Sequence, residues 1–273
     1  MIEVWSSGNP DDSMNEAILA DLSRQVRRHP WWKARAALTQ SLLKRLGVRP
    51  PSRVLEAGCG WGSTLSRLER LGYHVTGLDL SRRALDPLHA ERSDRRLIQA
   101  DLAQDLPPSA NESFETVLAL DVIEHLDDDR AAVTRLARLV QPGGWLILSV
   151  PALPELFSEF DSIQGHRRRY LPASLRAVFD GSGLSDPSLF WWGSWMVPIL
   201  SRRRTRSLGR PGEPPHVVYQ RHLRLPAWPG PLILRTLMTL EAPFALSGRL
   251  RTGTSLFALA QKPDLNTRPG RVV

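Results

Sequence analysis

Two carboxylates and a run of glycines, spaced across two short apolar segments, are the residues of this sequence best suited to hold a reactive ligand. Arg53-Val54-Leu55-Glu56-Ala57 reads as a short strand entering the glycine-rich turn Gly58-Cys59-Gly60-Trp61-Gly62. The next strand, His74-Val75-Thr76-Gly77-Leu78, closes on Asp79. Glycines at a strand-to-helix turn let backbone N–H groups approach a ligand, because no Cβ stands in the way. A carboxylate ending the following strand is placed to accept hydrogen bonds from both ribose hydroxyls of an adenosine-containing ligand. On these residues two such ligands stay open. A nicotinamide dinucleotide wants G-x-G-x-x-G or A, whereas here Gly58-x-Gly60-x-Gly62 is followed by Ser63 and preceded by Glu56. S-adenosyl-L-methionine has no pyrophosphate to cradle, and its ammonium and sulfonium suit a carboxylate at the loop entry.

The elements that must position these groups follow in order. Residues 97–102 read as a third strand carrying Asp101 at its end, suited to an adenine amino group, and residues 114–121 as a fourth closing on Asp121. Val122-Ile123-Glu124-His125-Leu126 then leads into a helix over 127–140, and Pro142-Gly143-Gly144 turns the chain into a fifth strand over 145–150. Ligands of open α/β sheets bind beyond the carboxyl ends of the strands, where Asp79, Asp101 and Asp121 all fall.

With these motifs in order, residues 53–150 resemble a class I S-adenosylmethionine-dependent methyltransferase. Three further stretches resemble signatures of a bacterial subgroup near the ubiquinone-type O-methyltransferases: His29-Pro30-Trp31-Trp32-Lys33-Ala34-Arg35, residues 161–170 around Gly165-His166-Arg167-Arg168-Arg169-Tyr170, and residues 253–260. The resemblance implies an α/β fold: a Rossmann-like seven-stranded, mostly parallel sheet with an antiparallel last strand and helices on both faces. It also implies an N-terminal helical lid and a C-terminal helical insertion. The implied cofactor is S-adenosyl-L-methionine, contacted by Glu56, Gly58, Cys59, Gly60, Gly62, Asp79, Leu80, Asp101, Leu102 and Asp121. The implied reaction moves its methyl to a hydroxyl of a small, lipid-linked or glycan-type metabolite.

Removing a proton from a hydroxyl nucleophile is work for a histidine near neutral pH. His125, just past the fourth strand, and His166, after the fifth, are the candidates. His125 also fits a packing role against the following helix. Arg167, Arg168 and Tyr170 suit contacts to an acceptor, the arginines through bidentate bonds to phosphate or carboxylate; equally, the arginines fit ion pairs with Asp161, Glu159 or Glu155 that fix the loop. Asp127, Asp128 and Asp129 fit the positive end of a helix dipole, and no metal site is expected. Cys59 reads as a small residue packing behind the loop, and Trp31 and Trp32 as lid packing or a stacking surface.

The 273 residues, 42% of them hydrophobic, suffice for one methyltransferase domain. Its expected parts are a lid over 1–50, a cofactor-binding core over 51–192, a basic and apolar insertion over 193–253, a last strand over 254–262 and a flexible tail over 263–273. Residues 1–150 carry 19 Lys/Arg and 20 Asp/Glu, whereas residues 151–273 carry 17 and 8, so the net charge of +8 resides in the C-terminal part. Either an anionic substrate or surface, or a general preference for arginine, accounts for that split. An apolar patch at 195–200 beside arginines at 202–206 suits peripheral contact with an anionic membrane; a solvated loop and a pocket-capping helix are the alternative. The single cysteine and the polar N-terminus lead us to expect a cytoplasmic protein, at most peripheral to the inner face of the membrane. Partners are then a small-molecule or lipid-linked acceptor, with no particular oligomeric state implied. Nucleic acid is not expected despite a pI near 10.6, since no RNA-binding module or Asn/Asp-Pro-Pro-Tyr motif is present. A non-catalytic cofactor-binding protein would not need so full a set of loop acids.

Overall fold

The structure is a computed structural model that describes residues 1–6, 23–111, 113–203, 209, 212–225 and 227–264. Residues 7–22 of the expected lid, Arg204 and Arg206 of the basic cluster, and all but the first two residues of the expected tail lie outside them. In chain order the elements begin with β1 (Glu3–Val4), α1 (Ser23–Arg28), α2 (Pro30–Arg45), β2 (Arg53–Ala57), α3 (Ser63–Arg70) and β3 (His74–Asp79). The core continues with α4 (Arg82–Glu91), β4 (Arg96–Gln99), β5 (Phe114–Leu120), α5 (Asp129–Leu139) and β6 (Val140–Pro151). The C-terminal part holds α6 (Glu159–Ile163), α7 (Pro172–Ala177), β7 (Ser188–Trp192), α8 (Val197–Arg203), α9 (Pro215–His222), α10 (Gly230–Leu246) and β8 (Ser255–Gln261).

The strands form one sheet in the order β1-β4-β3-β2-β5-β6-β8-β7. It is parallel from β1 through β6, and β8 runs antiparallel to both its neighbours. The expected mixed sheet is present with one strand more. That strand, β1, pairs only Glu3 with Ile98 and Val4 with Gln99, too short a run to leave a periodic pattern. The expected turn at Pro142-Gly143-Gly144 is instead an irregularity inside β6. Phe114 pairs with Val140 and Thr116 with Trp145, and a Cβ on Gly144 would sit 2.7 Å from the Glu115 carbonyl.

Neighbouring residues on a strand face opposite sides of the sheet, and both sides here are dry. Leu55, Ala57, Val117, Ala119, Leu146 and Leu148 pack with Val133, Leu136 and Leu139 of α5 on one face. Val54, Leu118, Leu120 and Ile147 pack with Leu38 and Leu42 of α2 and Leu65 and Leu68 of α3 on the other. This double burial explains why the central strands read as continuous apolar runs.

The break between α1 and α2 falls at His29-Pro30. Proline fits the first helical position, where its missing N–H costs nothing, and His29 Nδ1 accepts from the Trp31 N–H at 3.2 Å. At the other end of the chain, Glu241 of α10 is buried and accepts from the N–H groups of Gly193 (3.1 Å) and Ser194 (2.6 Å). Those bonds clamp α10 to the chain leaving β7, while α10 also lies against α2.

Arg95 ties α3 to α4. Its side chain is 4% exposed and bonds Glu69, Glu91, the Ser66 hydroxyl and the Leu88 carbonyl. Removing one partner of a buried ion pair leaves an uncompensated charge. Arg95→Ala is therefore expected to lower unfolding stability by about 3 kcal/mol, read from urea denaturation; a loss under about 1 kcal/mol, the scale of an exposed pair, would refute the clamp.

Candidate active site

The glycine turn after β2 is built from left-handed residues: Gly58, Gly60 and Gly62 have φ of +67°, +45° and +68°. Side chains would not fit at two of them. A Cβ on Gly58 would collide with Val122, and one on Gly62 would lie 2.6 Å from Leu88 Cδ2. At Gly60 a Cβ would meet nothing within 4 Å, so that glycine borders open space. The Gly60 N–H donates to Asp79 Oδ2 at 2.7 Å and the Ser81 N–H to Asp79 Oδ1 at 2.9 Å. One carboxylate thus locks the turn to the end of β3, and each oxygen keeps a lone pair for a further donor. Burial pushes the Asp79 carboxyl up against these N–H bonds, which favour its ionised form.

The open space is a cavity of ≈ 760 Å³ at the carboxyl edge of the sheet, within the size range of small-molecule sites. Nine of the ten residues expected at the cofactor line it, namely Glu56, Gly58, Cys59, Gly60, Asp79, Leu80, Asp101, Leu102 and Asp121, and the tenth, Gly62, caps α3 behind them. Asp101 accepts from the Ala103 N–H at 2.8 Å and from Gln104 at 3.1 Å. Burial drives the Cys59 thiol well above its ordinary range, which suits packing rather than nucleophilic chemistry.

Two carboxylates at the cavity floor are under tension. Glu56 is 3% exposed, and its Oε2 has no hydrogen-bond partner. Burial raises its pKa to about 7 against the opposing charge of Arg35 and bonds from Thr64 and Leu65. Asp121 sits at φ +58°, an uncommon conformation for a residue with a side chain. It is held there by the Ser149 hydroxyl at 2.9 Å, by its own N–H to the Ser149 carbonyl at 2.8 Å, and by an ion pair with Arg35. Arg35 closes the signature stretch that begins at His29, but no role at the cofactor was expected of it. It comes from α2, 21 positions before the first acid it senses, and its Nε is buried without a partner. A lone arginine in a helical stretch carries no spacing signal.

The orphaned Glu56 oxygen fits a ligand ammonium, and Arg35 Nε fits a ligand carboxylate. The free lone pairs of Asp79 fit ribose hydroxyls, and Gly60 leaves room for the chain between them. The residues present thus match S-adenosyl-L-methionine part by part.

Around the rest of the cavity the expected acceptor residues separate. His166 lines it, with Nδ1 3.1 Å from Asp161 Oδ1 and Nε2 3.8 Å from Glu124 Oε1. Asp161 is fully buried; burial raises its pKa, but the His166 bond and the Arg169 charge outweigh that and hold it at about 2. His125 lines the cavity too, edge to face with His166 at a ring separation of 4.9 Å. Burial, then the neighbouring His166, lowers its pKa to about 4. Arg167 instead bonds the His125 carbonyl and pairs with Asp127, and Arg168 bonds Asp129 and the carbonyls of Leu126 and Asp127. Tyr170 is 2% exposed, donating its hydroxyl to Asp129 at 2.8 Å. None of the three borders the cavity. Position in the motif decides this: Arg169, one step further, lines the cavity and donates to Asp161 at 2.7 Å and to the Ala152 carbonyl. Within the acidic triplet, Asp128 caps α5 by accepting from the Ala131 N–H at 2.9 Å, and its two neighbours serve the arginines. Among the described residues, Glu124, His125 and His166 are the group whose potential metal-ligand atoms lie within 4.8 Å of one another.

The lid and the insertion close the cavity with aromatic surface. Trp31 stacks on Trp192 at 4.1 Å, Trp32 meets Trp61 edge-on, and Phe160 stacks on Tyr219 at 5.2 Å. Trp195, Met196, Ile199 and Leu200 add an apolar wall from the insertion.

The known proteins that this chain is similar to include several methyltransferases. A family model described as a methyltransferase domain matches residues 31–188. The chain is 38% identical over 154 residues to a ubiquinone biosynthesis O-methyltransferase of Paracidovorax citrulli, a match covering 50% of this chain and 62% of that protein. It is 30% identical over 161 residues to a malonyl-[acyl-carrier protein] O-methyltransferase of Pseudescherichia vulneris, covering 57% and 60%. The chain thus spans about three fifths of the length of these relatives. A chain in the complex between the Haloferax volcanii Trm112 methyltransferase activator and a methyltransferase shares the fold, with a TM-score of 0.60 at 17% identity over 94% of this chain and 100% of that one.

The floor of the cavity sets a pH dependence for its ligand. An ammonium beside Glu56 favours the ionised carboxylate, so binding at pH below about 7 must release a proton. Affinity for S-adenosyl-L-methionine is expected to rise about tenfold between about pH 6 and about pH 8, and to lose that rise in Glu56→Gln. Calorimetry across the range decides it; a flat wild-type profile would contradict the assignment. In the same measurement Asp79→Ala should weaken binding by roughly a hundredfold or more, and unchanged affinity would remove the ribose role.

Proposed function

The chain belongs to the methyltransferase domain family, whose methyl donor is S-adenosyl-L-methionine, and on that premise we propose that it methylates an oxygen, namely a hydroxyl of a small, lipid-linked acceptor. The donor supplies an electrophilic methyl on a sulfonium, so the protein has to align the acceptor and remove its proton. The observation that carries the reading is the Asp161–His166 pair at the cavity wall. Asp161 is buried and ionised, and it fixes the His166 ring with Nδ1 as donor. In neutral imidazole the other nitrogen, Nε2, then holds the lone pair that accepts a proton. Arg169 donates to the same Asp161 oxygen and helps hold it in place. His125, with its pKa near 4, is the weaker base and suits shaping of the cavity around the His166 ring.

Two further features support the acceptor class. Relatives with both printed activities are O-methyltransferases, and the insertion lines the cavity with side chains that favour an apolar body over a charged one. Peripheral contact with a membrane belongs to the same proposal, since a lipid-linked acceptor is met there.

Turnover tests the base. With a labelled methyl donor and a metabolite extract supplying the acceptor, His166→Ala should lower kcat by roughly 10²- to 10⁴-fold with cofactor affinity intact. His125→Ala should cost less. Wild-type turnover in His166→Ala would eliminate it as the base.

A further inference from the structure

The helix that closes the cavity has an exposed outer face. On α10, Ile233, Leu237, Leu240 and Phe244 recur at helical spacing and all point to solvent, Leu240 at 63% and Phe244 at 51% exposure. Trp228, just before the helix, is 83% exposed. The buried side of the same helix is a different set: Met238, Glu241 and Ala245. Leu234 and Met238 border the cavity. One helix therefore separates the acceptor space from an apolar strip of surface.

Cations gather at the carboxyl end of that strip. The Arg249 N–H bonds the Phe244 carbonyl at 3.1 Å, and Arg45 donates to the Leu246 carbonyl. Arg45, Arg249 and Arg251 are exposed, and none forms an ion pair with a carboxylate among the described residues. The two acids of the insertion are occupied elsewhere, Glu241 on Gly193 and Ser194 and Glu213 on Arg221. No helix among the described residues is long and apolar enough to cross a membrane. An apolar stripe, an exposed tryptophan at one end and unopposed arginines at the other are the parts of an element that lies in a lipid interface.

We propose that the outer face of α10, from Trp228 to Arg251, docks the protein on an anionic phospholipid surface, with the acceptor cavity directly behind it. Charge complementarity selects lipid over a second copy of the chain. Arg45, Arg249 and Arg251 stand at the strip with no carboxylate partner among the described residues, so two such faces repel, whereas an anionic leaflet attracts each arginine. The link to the cavity rests on the methyl-transfer reading; the docking surface itself does not.

Flotation of the full chain with vesicles tests this, comparing phosphatidylcholine mixed with phosphatidylglycerol against phosphatidylcholine alone. The protein should float with the anionic vesicles and lose binding as salt rises. L240E/F244E alters only exposed positions and should reduce partitioning by roughly tenfold per side chain. R249A/R251A should reduce it by roughly fivefold per arginine on anionic vesicles. Calorimetric binding of S-adenosyl-L-methionine, unchanged in both variants, shows that they remain folded and separates this test from that of the methyl-transfer reading. The proposal is overturned if the wild type does not float at low salt, or if L240E/F244E floats as well as wild type. It is equally overturned if neither floats and sedimentation shows a wild-type dimer that L240E/F244E dissociates, which would make the stripe a subunit interface.

Discussion

Carboxylates crowded into a low-dielectric cavity are the constraint on which the rest of this structure turns. Glu56, Asp79, Asp121, Glu124 and Asp161 all gather at the carboxyl edge of the sheet, and three of them are almost completely buried. Each ionised carboxylate needs a cation or several N–H donors to offset lost hydration. Asp79 takes its bonds from the glycine turn, Asp121 and Asp161 take arginines, and Asp161 takes His166 as well. One oxygen of Glu56 and both of Glu124 lack a hydrogen-bond partner among the described residues, and burial raises the pKa of both. With Glu56 lining the cavity and Glu124 behind the His166 ring, the site is prepared for a cationic ligand before one arrives.

That requirement organises elements far apart in the chain. Arg35 reaches from α2 to Asp121 at the end of β5, and Arg169, in the loop after β6, pairs with Asp161 of α6 and bonds the Ala152 carbonyl just past β6, so charge anchors both the lid and the acceptor loop. Packing reinforces the anchor. Trp31 of α2 stacks on Trp192 of β7, and Gly193, the next residue, gives its N–H to Glu241 of α10. Lid, last strands and insertion thereby share one boundary around the cavity, and α10 is held as a wall with one side facing the cavity and the other facing solvent.

The arginine surplus divides along the same lines. Arg35, Arg95 and Arg169 are buried or nearly so and serve carboxylates; Arg167 and Arg168 fasten the loop after β6 to the chain before α5. A preference for arginine over lysine suits these roles, because the planar guanidinium reaches several acceptors at once. The exposed arginines near the end of α10 pair with no carboxylate among the described residues, and their charge is left to the solvent face.

Local chemistry was legible in the sequence because it depends on neighbours along the chain. Left-handed turn positions need glycine, buried parallel strands need unbroken apolar runs, and a carboxylate at a strand end is a local pattern; hence the sheet, the turn at Gly58–Gly60–Gly62 and the acids at Asp79, Asp101 and Asp121 could all be read. A two-residue edge strand and the irregularity in β6 left too little pattern to read. Which arginine of Arg167, Arg168 and Arg169 turns inward could not be read either, nor that Arg35 would meet Asp121 across 86 positions. Nor could the outward face of α10 be told from its inward one. Those outcomes are set by which surfaces meet after folding, and a charge or an apolar side chain carries no mark in the sequence of the distant group that will compensate or cover it.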